Sequence, residues 1–304
     1  MKIGFSIPIS ENNKNQLHYV KNLNDLGIEQ FWIGDNPPVN NAFLTIEHIL
    51  SRIEKITLGT GITSPFYYSK QTLVGTVEYF IKNYGKRFIL GLGFGKKKSF
   101  FDSNERLDFR KFQSYTHELV ETVRHRLQKN NLQDSFSYAI GGLGNSISKF
   151  AILNADIFLV NSASKYDLKR INKIFNSFDD KKKSQVFLYC MMEIREKKEN
   201  ISLKLWNIVK DIARNSSLNI LEEHNYSQSM IEKIKQLPPE YMFKIPEGEV
   251  VHIVNDFALV GKIDELAEKV SNLMKTSKII DGLIFGWTNE IYDYKKIADF
   301  LELL

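Results

Sequence analysis

The chain has one cysteine, Cys190, among 304 residues, which excludes an internal disulfide and fits a cytoplasmic protein. Long apolar runs are also missing. None approaches the roughly 18 residues that a membrane-spanning helix needs, so no membrane partner is expected. Charge of one sign is scarce: 41 Lys and Arg stand against 36 Asp and Glu, a formal net charge of +5. The basic residues are spread out, without an aromatic-basic stripe, so a small anionic molecule is a better partner than nucleic acid. Low-complexity linkers and strict short repeats are absent. So are the glycine fingerprint with a distant acid and the Walker-type phosphate loop, which removes the dinucleotide-fold and P-loop readings. The first residues, Lys2 to Pro8, read as a strand rather than a signal peptide.

What is present is an alternation of strands and helices. Apolar runs with the character of doubly buried parallel strands fall at about residues 2–8, 29–34, 56–61, 87–92, 136–140, 156–160, 186–192 and 281–286. Helical patterns separate them. Eight such strands in a chain of this length close most economically into an α/β fold, the (β/α)8 TIM barrel. A long helical stretch over about 197–275, broken at Pro238-Pro239, reads as an insertion between strands seven and eight that decorates the barrel mouth. Within it, Val260-Gly261 and the acidic pair Asp264-Glu265 restart a helix. With 43% apolar and 25% charged residues, the expectation is one domain over residues 1–304.

Active sites of such barrels gather at the carboxyl ends of the strands. That places Ser6, Asp35-Asn36, Thr60 to Ser64, Gly93 to Lys96, Gly141 to Ser146, Asn161-Ser162, Met191 to Glu193 and Trp287 on one face. Glycines punctuate it, as in Leu58-Gly59-Thr60-Gly61-Ile62-Thr63-Ser64-Pro65 and Leu90-Gly91-Leu92-Gly93-Phe94-Gly95. They let backbone come close to a flat or phosphorylated ligand. The run Ile140-Gly141-Gly142-Leu143-Gly144-Asn145-Ser146 precedes a helix. It is either a phosphate cradle, with Asn145 or Ser146 as N-cap, or a turn that merely joins strand to helix. Asp35 is the best titratable candidate for a ring or substrate contact, with Glu193 behind it and more simply read as a surface carboxylate. His117, Glu121 and His125 share a helical face without a further ligand, so no metal site is assigned. Cys190 reads as core.

Four strings in order carry a family resemblance: Gly27 to Asp35, Leu58 to Pro65, Gly85-Lys86-Arg87-Phe88-Ile89-Leu90-Gly91-Leu92-Gly93, and Val260-Gly261 with Asp264-Glu265. Together they resemble the luciferase-like monooxygenase superfamily, most closely its methylenetetrahydromethanopterin reductase branch. The resemblance implies an oxidoreductase, usually a homodimer, that binds the deazaflavin coenzyme F-420 or, alternatively, FMN, and acts on a small-molecule substrate by hydride transfer or as an oxygen-dependent monooxygenase. It places a non-prolyl cis peptide at Gly61-Ile62, in a bulge with Thr63 behind the coenzyme ring. Gly141, Gly142 and Asn145 then lie near the coenzyme phosphate, with Asn161 and Ser162 beside it. Asp35 and Asn36 become the catalytic candidates.

The chain departs from that pattern in four places. Ser6 stands where relatives often carry an acid, Asn36 follows Asp35 in place of histidine, and Lys96 replaces an acid. Tyr68-Ser69-Lys70 replaces Arg-His-Pro. Loss of these groups makes a coenzyme-binding barrel without catalysis a further alternative. In the catalytic reading, the Lys96-Lys97-Lys98 cluster attracts an anionic coenzyme tail.

Overall fold

The computed structural model describes residues 1–9, 13–37, 40–95, 108–178, 184–195, 201–236, 247–287 and 293–304. Eight parallel strands close a barrel: β1 (Lys2–Ile7), β2 (Gln30–Ile33), β3 (Thr57–Thr60), β4 (Phe88–Leu92), β5 (Ser137–Gly141), β6 (Ile157–Val160), β7 (Gln185–Ile194) and, last in the chain, β9 (Ile280–Trp287). The first seven pair in sequence order, and β9 sits between β7 and β1. Around them run α1 (Asn13–Asp25), α2 (Ala42–Leu50), α3 (Lys70–Tyr84), α4 (Phe109–Gln128), α5 (Asn145–Asn154), α6 (Lys165–Asn176), α11 (Ile263–Thr276) and α12 (Tyr294–Glu302). The expected (β/α)8 barrel is the observed one.

Between β7 and β9 the chain forms α7 (Leu203–Asn215), α8 (Leu218–Glu223), α9 (Gln228–Gln236) and α10 (Glu247–Phe257). One strand within this stretch was not anticipated. Val260-Gly261 does not open a helix but ends β8 (Ala258–Gly261), which pairs with Met191 to Ile194 of β7. The reason lies in β7: its ten residues outrun the barrel wall, and the protruding end offers free backbone groups that β8 satisfies. α11 starts two residues later, with Asp264 and Glu265 in its first turn as expected. Pro238-Pro239 and the Lys96 to Lys98 cluster lie outside the described residues.

Three apolar clusters follow from this layering. Outward side chains such as Phe5, Phe31, Leu58 and Leu90 pack under the surrounding helices. Leu205, Trp206, Val209, Ile231, Ile253 and Phe257 form a second core within the inserted helices, which meets Leu143 and Met191 at strand ends. Trp32, Ile89, Ala139, Leu159, Phe187 and Ile284 fill the barrel itself.

Glycines make that filling possible. A Cβ at Gly59 would lie 2.6 Å from Trp32 Cζ3, and one at Gly61 2.9 Å from Trp32 Cβ, so the fully buried indole occupies the volume that those side chains would need. At Gly91 an added Cβ would fall 1.8 Å from the Thr60 carbonyl oxygen, which belongs to backbone and has nowhere to go. Phe187 plays the same part opposite Gly282, 3.0 Å from its would-be Cβ. Replacing Trp32 with alanine should therefore cost about 3–5 kcal/mol, measured as a lower denaturation midpoint. Trp32→Phe should cost less, because it leaves a smaller void.

Candidate active site at the barrel mouth

At the end of β3 the strand breaks off and resumes one residue out of step. The Gly61 N–H donates to Ile33 O at 2.7 Å and the Asp35 N–H to Ile62 O at 3.1 Å, while Thr63 re-pairs with β4 through Gly91 O and the Gly93 N–H, both at 2.9 Å. The Gly61–Ile62 peptide within this bulge is cis, the geometry that the resemblance implied. The Ile62 side chain lies across the mouth. Its Cδ1 lies 2.2 Å from where a Gly93 Cβ would be, and its Cγ2 2.7 Å from that of Gly141. Gly61, Ile62, Gly93 and Gly141, from three strands, thus form one continuous rim. It closes only because both positions lack a Cβ.

Beside this rim the β5–α5 turn presents a helix start without a side-chain cap. Gly144, not Asn145 or Ser146, is the N-cap, because it takes the extended conformation and its carbonyl accepts the Ser148 N–H at 2.9 Å. Asn145 and Ser146 are exposed in the first turn of the helix. Gly142 packs on Ile147, and its N–H donates to Leu159 O at 3.0 Å. At the end of β6, Asn161 is half-buried, and its Oδ1 is enclosed without a hydrogen-bond partner among the described residues. Ser162 behaves differently. Its hydroxyl donates to Asp167 Oδ2 at 2.6 Å and accepts the Ser164 N–H at 2.9 Å, so it is committed within the protein.

Asp35 is 6% exposed and accepts from three donors: the Ala42 N–H at 3.0 Å, the Thr63 hydroxyl at 2.6 Å and the Tyr68 hydroxyl at 3.2 Å. Burial raises its pKa, and these hydrogen bonds oppose the rise. Placed at the start of α2, the carboxylate ties the ends of β2 and β3 to a positive helix terminus. Tyr68-Ser69-Lys70 thereby acquires local tasks. Tyr68 reaches Asp35, Ser69 accepts the Thr72 N–H to cap α3, and Lys70 pairs with Glu118. Asn36 forms a two-way backbone bridge with Asn40, at 3.1 and 3.0 Å.

Glu193 proves not to be a surface carboxylate. It is 3% exposed, pairs with Arg195 and accepts from the Ser202 hydroxyl at the start of α7. Cys190 is core, its thiol pushed up to about 12 by burial. The Trp287 side chain lies outside what is described. Among the described residues, no group of three or more His, Cys, Asp or Glu could hold a metal.

Sequence reasoning missed two features. One is Tyr189, which alternates with Phe187 and Met191 on the inner face of β7; that period was its signal. The other is a buried ionic network between the insertion and the barrel. Arg170 Nη2 contacts Asp167 Oδ1 at 2.7 Å and donates to Leu143 O at 2.8 Å in the β5–α5 turn, while its Nη1 meets Glu223 at 2.8 Å. His224 lies between Asp167 (3.1 Å) and Asp256 (3.6 Å), stacked on Phe257 with centroids 4.9 Å apart. No periodicity links residues 57 positions apart. The turn beside the rim is thus held by Arg170 of α6, which Glu223 of the insertion braces.

Burial disfavours a charge on His224, but the two carboxylates outweigh it and push its pKa from 6.5 up to about 9. The stabilisation is therefore complete below pH 6.5 and lost as pH rises through about 9. His224→Gln should lower stability near neutral pH by on the order of 3 kcal/mol, and denaturant titrations should find that deficit shrinking at alkaline pH. At the rim, Gly93→Ala should destabilise the protein by about 1–3 kcal/mol, and Ile62→Ala in the same chain should restore much of the loss.

No protein-family model matches the chain. Among curated proteins it is 22% identical over 306 residues to the 5,10-methylenetetrahydromethanopterin reductase of Archaeoglobus fulgidus, covering 88% of this chain and 89% of that one. A shorter match, 29% over 83 residues, joins it to the same enzyme of Methanolobus tindarius. In fold it is similar to the coenzyme F-420 dependent tetrahydromethanopterin reductase of Methanopyrus kandleri, with a TM-score of 0.75 and 17% identity over 98% of this chain and 96% of that one. The FMN-bound oxygenating constituent of 3,6-diketocamphane monooxygenase from Pseudomonas putida matches with a TM-score of 0.69 and 12% identity, over 100% and 96%. The resemblance to the reductase branch therefore holds in sequence and in fold across most of the chain, and the fold is shared with a monooxygenase component.

Proposed function

We propose that this chain is a luciferase-like oxidoreductase that binds the deazaflavin coenzyme F-420 at the barrel mouth and exchanges hydride with a small organic substrate. The observation that carries the reading is the rim on which Ile62 spans Gly93 and Gly141, beside the uncapped start of α5 and the orphaned Asn161 Oδ1. These residues fit such a group. The Gly61–Ile62–Thr63 bulge offers a flat backing for a ring, and the free amides at Gly144 to Ser146, with Gly141 and Gly142 alongside, suit a phosphate. Asn161 supplies an acceptor, while Ser162 acts from behind through Asp167. Bound there, the coenzyme supplies the hydride chemistry. The protein's share is to orient it and exclude water.

Asp35 and Asn36 are the proposed catalytic positions at the end of β2. With its carboxylate enclosed by three donors, Asp35 contributes by holding the bulge and the neighbouring Asn36 backbone in place. FMN is the alternative occupant, since it is also planar and phosphate-bearing and the fold is shared with an FMN-bound oxygenating protein. The proposal includes one domain, a homodimer and a cytoplasmic location; among the described residues no helix is long and apolar enough to cross a membrane. Purified protein should bind the deazaflavin at low salt, with affinity falling as salt rises because the phosphate contact is electrostatic. Visible absorbance of the purified protein distinguishes the deazaflavin from FMN. Absence of binding to either at low salt would remove the proposal.

A further inference from the structure

A hydride-transfer site also needs a way to deliver a proton, and among the described residues the strand-end acids Asp35 and Glu193 are occupied. Asp35 is enclosed by Ala42, Thr63 and Tyr68, and Glu193 by Arg195 and Ser202. The inner face of the barrel offers something else. Phe5 and Ile7 of β1 point outward into the helix-packed core, so Ser6 points inward. Tyr189 packs against the barrel-filling cluster from β7, and both residues keep part of their surface exposed. Their hydroxyls meet inside the barrel from the two strands that flank β9, the Tyr189 phenol donating to Ser6 Oγ. Among the described residues the Ser6 proton has no acceptor, so it remains available to a ligand. The Tyr189 ring lies directly by the bulge, its Cε2 3.5 Å from where a Gly61 Cβ would be.

We propose that Ser6 and Tyr189 form an uncharged proton-donor pair for the oxygen of a neutral carbonyl substrate. The inference rests on the hydride-transfer reading above. In the reducing direction a C–H bond forms at the carbonyl carbon with the two electrons of a hydride from the reduced deazaflavin. The carbonyl oxygen takes the Ser6 proton and becomes a hydroxyl. Ser6 recovers its proton from Tyr189, and Tyr189 from solvent. The reverse sequence oxidises a secondary alcohol. Burial pushes the Tyr189 phenol up to about 12, which keeps it protonated and donating around neutral pH. A serine hydroxyl polarised in this way suits a neutral oxygen better than a carboxylate, which would add a charge to a site flanked by Ile62 and Met191.

The test uses the full chain, Ser6→Ala, Tyr189→Phe and the double variant, with cyclohexanone as probe. Infrared difference spectra of the bound ketone should place its C=O stretch below the free value in the parent protein and back at the free value in Ser6→Ala. In coenzyme-loaded protein, cyclohexanone reduction should fall about 100-fold in Ser6→Ala and about 10-fold or more in Tyr189→Phe, with the double variant no worse than Ser6→Ala. Deazaflavin affinity and melting temperature should stay close to parental in each, which separates proton donation from folding. The same carbonyl shift in parent and Ser6→Ala, no ketone binding to the parent, or independent losses in the double variant would each overturn the pair. Failure of the parent to bind deazaflavin while the shift persists in the coenzyme-free protein would instead remove the hydride-transfer reading and leave the donor pair standing.

Discussion

Close approach inside a closed barrel governs this molecule. Eight strands leave an interior only wide enough for side chains to fill, and here one indole and one phenyl ring take much of it. Trp32 can pack close against β3 and β4 because Gly59, Gly61 and Gly91 present no Cβ to it. The same property extends upward to Gly93 and Gly141, where Ile62 takes the vacated volume. Packing of the floor and shape of the mouth are therefore one steric arrangement, continuous along the inward positions of adjacent strands.

Polar interactions then lock the mouth around that arrangement from two sides. On one side Asp35 gathers the ends of β2 and β3 and the start of α2. On the other, Arg170 holds the carbonyl of Leu143 while being held by Asp167 and by Glu223 from the insertion. Neither carboxylate cluster is spare chemistry lining a cavity. Each is matched by donors, as buried charge must be to persist. The inserted helices consequently do more than cover the barrel, because their charges help to position the turn that leads into α5.

Among the described residues, few charges at the strand ends are left without a partner of opposite sign or a hydrogen bond. The partly exposed groups of the mouth, among those same residues, include the amides of Asn36 and Asn161, the hydroxyls of Ser6 and Tyr189, and apolar surface from Ile62 and Met191. The four departures from the family pattern, read one by one, remove acids and imidazoles. In the fold, two of them are absorbed into new contacts: Tyr68 to Asp35, and Ser6 to Tyr189. The Lys96 position lies outside the described residues.

The amino-acid order by itself determined the eight barrel strands, because a run buried on both faces must be continuously apolar, and it determined which glycine-bearing strand ends share a face. It also located the Gly61–Ile62 bulge, since four ordered strings carried the resemblance. It could not announce β8, whose formation depends on the unpaired end of β7 rather than on its own four residues. Nor could it pair Arg170 with Glu223, His224 with Asp256, or Ser6 with Tyr189. Periodicity encodes which way a side chain points within its own element, whereas these partners meet only after closure of the barrel brings distant segments together. Whether Asp35 and Glu193 stand open or enclosed was decided in the same way, by donors that the tertiary structure delivers.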